Sequence, residues 1–110
     1  MTKTKYIVIH NNSYEYDIFV TDTKKGLLFE MHYSEEEFWT RPGTLIMTML
    51  DTGNGVKFSH AKKSMEYDIV EEIRILLNFS KSINDNKVER ESRTFIYPEG
   101  SSLQTNPISL

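Results

Sequence analysis

The stretch Ser64-Met-Glu-Tyr-Asp-Ile-Val-Glu-Glu-Ile-Arg-Ile-Leu-Leu-Asn-Phe79 decides the fold class of this chain. With successive residues about 100° apart, Met65, Ile69, Val70, Ile73, Leu76 and Leu77 form one apolar face, the stripe that a helix lays on a core. The other regular stretches are short and mostly alternating, so this helix is the element expected to cover a sheet.

Outward from it, the strands follow from period-two patterning. Residues 5–10 and 14–21 are β-rich runs separated by Asn11-Asn12-Ser13, turn formers that tolerate left-handed backbone. In the second run Tyr14, Tyr16, Ile18 and Val20 alternate with Glu15, Asp17, Phe19 and Thr21, which gives one apolar and one mostly polar face. Asp22-Thr-Lys-Lys-Gly26 turns the chain into a third strand with Leu27, Phe29, Met31 and Tyr33 on its apolar side. In Tyr33-Ser-Glu-Glu-Glu-Phe38-Trp39, Ser34 and Glu37 form a capping box, and Tyr33 and Phe38 form a hydrophobic staple. A short helix is predicted there, stopped by Arg41-Pro42-Gly43.

Residues 44–51 are apolar on both sides and predict a strand in the centre of the sheet, followed by the turn Thr52-Gly-Asn-Gly55 and a fifth strand over 56–59. Beyond the helix, 81–86 read as a polar loop and 87–97 as an edge strand with Thr94 and Ile96 on one side. The expected fold is α+β: an antiparallel meander of five or six strands, one long amphipathic helix on one face, and one short helix between strands three and four.

A length of 110 residues, 38% of them hydrophobic, suits one modest core. We assign a single domain to residues 1–100 and a loose tail to 101–110, which lacks periodicity. With no cysteine, disulfides, thiolate metal sites and cysteine nucleophiles are excluded. The apolar run at 6–9 is too short for a signal-peptide core or a membrane span, so a cytosolic protein is expected. The formal charge is −3, and the basic residues are scattered, paired only at Lys24-Lys25 and Lys62-Lys63. That pattern argues against a nucleic acid partner and for a basic protein partner.

Asp51-Thr52-Gly53, after an apolar strand, resembles the active-site tripeptide of the retroviral-type aspartic proteases. The resemblance implies a dimer in which two aspartates share a proton. It covers this loop alone: Asn54 stands where that family has Ser or Ala, and no later apolar pair followed by Gly supplies its second signature. Hairpin punctuation accounts for the same residues. His10, His32 and His60 could serve acid/base chemistry near neutral pH, but none has a metal-ligand spacing. There is no Gly-x-Ser-x-Gly elbow, and the five glycines form no phosphate loop. No catalytic residue, cofactor or metal is assigned, and an enzyme is not expected.

Ile75 and Phe79 fall outside the apolar stripe, framed by Asp68, Glu71 and Glu72. We read these five as a partner-binding surface, with Glu35, Glu36 and Trp39 as a second; the alternative is that Ile75 and Phe79 pack under residues 81–97, the glutamates serve only as caps and Trp39 closes the core edge. The functional expectation is a small cytosolic inhibitor or modulator of a protein partner, such as an immunity protein, antitoxin or phage-type inhibitor. The alternatives are a compact enzyme, either a nuclease using His10 or His32 or a dimeric protease using Asp51, and an assembly subunit pairing through a strand edge.

Overall fold

The computed structural model describes residues 2–11, 14–34, 43–60, 69–85, 94–100 and 108–109. Among these residues seven strands and one helix follow in the order β1 (Lys3–His10), β2 (Tyr14–Thr23), β3 (Gly26–Tyr33), β4 (Leu45–Asp51), β5 (Val56–His60), α1 (Ile69–Asp85), β6 (Thr94–Pro98) and β7 (Ile108–Ser109). They form one sheet in the order β5-β4-β3-β2-β1-β6-β7, with every neighbouring pair antiparallel. The fold is α+β.

The meander holds for β1 to β5. After α1 the chain returns on the far side of β1, where β6 pairs along residues 6–10. β2 is therefore the central strand, and β4 lies one place from the β5 edge rather than in the middle. β6 is likewise not left as an edge, since Ile108–Ser109, within the stretch expected as a loose tail, pairs with it. The short helix expected after β3, including Glu35, Glu36 and Trp39, lies outside the described residues.

The sheet presents one face to α1. Val8, Tyr16, Ile18, Val20, Phe29, Met31, Met47, Met49 and Ile96 are buried there, as strand alternation expects. The helix itself is seated differently from the expectation. Val70 is 64% and Leu77 39% exposed, whereas Leu76 and Phe79 are fully buried and Ile75 is nearly so. The buried stripe is Glu72, Ile75, Leu76 and Phe79, with Ile73 and Ile83 partly buried against the core, and its centre is rotated by roughly a quarter turn from the expected one.

Two apolar stripes compete on this sequence. The buried one contains Glu72, only 2% exposed, and the interrupting charge hides it from a reading by hydrophobicity. It wins because Phe79 reaches two rings of the sheet. It stands edge-on to Tyr6 of β1 at 4.8 Å and to Phe29 of β3 at 5.8 Å, both at 74°. The same stripe draws the helix past Phe79, burying Ser80 and Ser82, so residues 81–85 are helical rather than a polar loop. With 17 residues the helix is of moderate length, rising about 25 Å.

Phe79→Ala is expected to lower stability by about 3 to 5 kcal/mol, the usual cost of emptying a buried phenylalanine site. Val70→Ala should stay within about 0.5 kcal/mol because that side chain faces water. Urea midpoints of the two variants read the difference, and equal losses would place the helix on its other face.

Candidate functional site

Strand register builds the site. On the helix side of the sheet the last cross-strand row is Asp22, Leu27, Asp51 and Val56, contributed by β2, β3, β4 and β5. The C-terminal half of α1 runs over this row and leaves a cleft of about 510 Å³, whose other wall carries Leu77, Lys81 and Asn84. Val56 is 42% exposed and faces Leu77 across it, so two apolar side chains meet solvent beside two carboxylates. β5 is the last strand on this side of the sheet among the described residues.

The floor of the cleft is fixed by Asp51. Its Oδ2 accepts a short hydrogen bond from the Ser80 hydroxyl and one of 3.2 Å from the Asn84 amide, which ties the β4 end to α1. Its Oδ1 accepts the Gly53 N–H at 2.9 Å, and Gly53 takes a φ of +86°, which favours glycine. The Asp-Thr-Gly stretch is thus a turn whose carboxylate is occupied on both oxygens. A second glycine makes the approach possible: a Cβ on Gly26 would stand 2.1 Å from the Asp51 carbonyl oxygen.

At the opposite end of α1 a polar cluster joins helix and sheet. His10 is buried, with Nδ1 at 2.5 Å from Thr94 Oγ1 and Nε2 at 3.2 Å from Asn11 Nδ2. Glu71 Oε2 lies 3.4 Å from the same Nε2 and accepts from Arg74 Nη2 at 2.6 Å. A neutral ring donating from Nδ1 to Thr94 and accepting from Asn11 satisfies these contacts, whereas a charged ring would turn Nε2–H to Glu71. Burial pushes the imidazole below its ordinary value, opposed by Glu71 and assisted by Arg74. Hydroxyl, imidazole and carboxylate stand in the sequence of a nucleophilic triad, but the Thr94 hydroxyl is closed off at 1% exposure. Thr94 and Asn11 hold the ring on the sheet, and Glu71 of the helix stands beside it.

The remaining histidine with a described environment, His32, donates from Nδ1 to the Gly43 carbonyl at 2.9 Å and packs edge-on against Phe19. It lies on the sheet face away from α1, near Asp17. That carboxyl is buried and held above its ordinary value by burial, although Lys5 at 3.7 Å opposes this.

The surface expected on the helix flank does not form. Ile75 and Phe79 are core residues, and Glu72 is buried at 2% exposure. Glu71 is partly exposed and engaged with Arg74 and His10. Asp68, Glu35, Glu36 and Trp39 lie outside the described residues. In their place the fold gathers Asp22, Val56 and Leu77, which no sequence motif joins. Their common signal is register, because Asp22, Leu27, Asp51 and Val56 share one row only once three strand pairings are known. Among the described residues no group of three or more His, Asp or Glu side chains is placed to hold a metal ion, and no helix is long and apolar enough to cross a membrane.

Comparison of the chain with models of protein families, with curated proteins and with solved structures finds no match in any of the three.

The lowered His10 value fixes a direction for pH dependence. The unfolded chain binds the proton more readily than the fold, so stability is full above the ordinary histidine range near 6.5 and falls as pH drops through it toward the folded value. His10→Gln should flatten that part of the curve. A wild-type curve already flat between about pH 7 and pH 5, the span in which histidine changes charge, would contradict it.

Proposed function

We propose that this chain is a small binding domain that inhibits or modulates a protein partner, in the manner of an immunity protein or antitoxin, by seating an extended segment of that partner in the cleft beside β5. The observation that carries the reading is the cleft, where exposed Val56 and Leu77 stand next to Asp22 and Asp51. An apolar pair beside carboxylates favours a segment with apolar and basic side chains, and the outer side of β5, unpaired among the described residues, offers main-chain hydrogen bonds to it. The Lys57 side chain projects to the opposite face, so it leaves this approach open.

Binding is favoured over turnover by where the hydroxyls lie. Among the described residues, the Thr94 hydroxyl beside the His10 imidazole is closed off, and the Ser80 hydroxyl at the cleft wall is 2% exposed and donates to Asp51. The acidic character of the expected partner surface is retained, moved from the helix flank to the end of the strand row. A cytoplasmic setting is part of the proposal.

Retention of host proteins on the immobilised chain tests it. A partner should be held by wild type, released by salt, and held at least about tenfold less by Leu77→Asp or Asp22→Lys. Lys25→Glu, on the other face, should retain it fully. Both cleft variants should unfold within about 0.5 kcal/mol of wild type, since the side chains are exposed. Equal retention by all three variants would remove the cleft from the interaction.

A further inference from the structure

The face of the sheet away from α1 carries a second surface of opposite polarity. One cross-strand row runs Lys3, Thr21, Leu28, Leu50 and Lys57 over five strands, with two leucines in its centre and a lysine at each end. Leu28 and Leu50 form the base of an apolar slot of about 500 Å³ that Thr23, Lys24 and Lys25 close on one side. The wall is held in place by its own turn. The Thr23 hydroxyl donates to the Gly26 carbonyl at 2.7 Å and accepts the Lys25 N–H at 3.2 Å, which fixes the two lysines over the slot.

The charges around this slot are unequal in their pairing. Lys3 has Glu30 at 3.8 Å, and Lys5, one row further, has Glu99 at 2.7 Å. Among the described residues Lys24, Lys25 and Lys57 have no ion pair, and all three are exposed. Three uncompensated cations around two leucines, on a chain with net charge −3, form a local field opposite in sign to the whole.

We propose that this slot docks an acidic segment of a partner protein, seating an apolar side chain on Leu28 and Leu50 with flanking carboxylates at Lys24, Lys25 and Lys57. Charge complementarity selects the acid, and the leucine floor selects an apolar anchor within it. A single-stranded nucleic acid is disfavoured because base stacking needs an open ring. Phe19, the ring in the adjacent row, is covered by the ammonium groups of Lys3 at 5.1 Å and Lys5 at 6.0 Å. The surface is separate from the cleft beside β5, so the two can be occupied together.

The test uses the whole chain and a fluorescein-labelled peptide, Asp-Glu-Leu-Phe-Glu-Asp, with NMR shift mapping. Binding should shift Leu28, Leu50 and Lys57 and leave Val56 and Leu77 in place. Affinity should fall about tenfold or more in the double variant Lys24→Glu, Lys25→Glu and again in Lys57→Glu, and thermal midpoints confirm that both variants remain folded. Replacing the central Leu-Phe of the peptide with Ser-Ser should cause a similar loss. The proposal is overturned if the peptide does not bind, if the Ser-Ser peptide binds equally, or if shifts fall outside the slot. It is also overturned if duplex DNA or phosphatidylserine vesicles bind more tightly with the same lysine dependence. Loss of slot binding with the cleft's partner still retained would separate this surface from the first.

Discussion

The contact of Phe79 with Tyr6 and Phe29 is the constraint on which the rest of the structure depends. Among the described residues one helix lies over a seven-stranded sheet, and a ring wedged edge-on between β1 and β3 fixes where it crosses. From that point the crossing runs diagonally. The first half of α1 reaches the His10 end of β1, and the second half reaches the Asp51 end of β4. The cleft beside β5 exists because this diagonal carries the helix only partly over the last row of strands.

Hydrogen bonds secure one end of the crossing, where Ser80 and Asn84 donate to Asp51, and at the other end Glu71 stands 3.4 Å from the His10 ring. Hydrophobic burial is non-directional and tolerates rotation of a helix about its axis, whereas directional hydrogen bonds to a fixed carboxylate do not. The burial of Glu72 within the apolar stripe is the cost of this seating, since removing a carboxylate from water opposes folding. The aromatic contacts and the hydrogen bonds to Asp51 oppose that cost.

The same sheet thus presents two chemically distinct surfaces. On the helix side, carboxylates and exposed aliphatic groups gather at the end of one strand row. On the other side, lysines frame two leucines in the neighbouring row. Strand alternation makes this separation possible, because Asp51 and Leu50 are adjacent in sequence yet face opposite ways.

The amino-acid sequence by itself determined the first five strands and the presence of a helix after them, with most of those strand limits. Alternation in Tyr14, Tyr16, Ile18 and Val20 and turn chemistry at residues 22–26 and 52–55 are local signals, legible without any partner strand. Legible too was the presence of a helix near Ile73 to Phe79, although its buried face was not, because Glu72 lies in the middle of the stripe and hydrophobicity counts against it. The cleft was legible only in one piece, the Asp51 turn. Tertiary structure decided the rest: which apolar stripe of α1 faces the sheet, where β6 joins, and which side chains share a row. Those outcomes depend on contacts between residues far apart in the chain, such as Phe79 with Tyr6 or Asp51 with Ser80. Their free energy arises only when distant elements meet, so no local pattern records it.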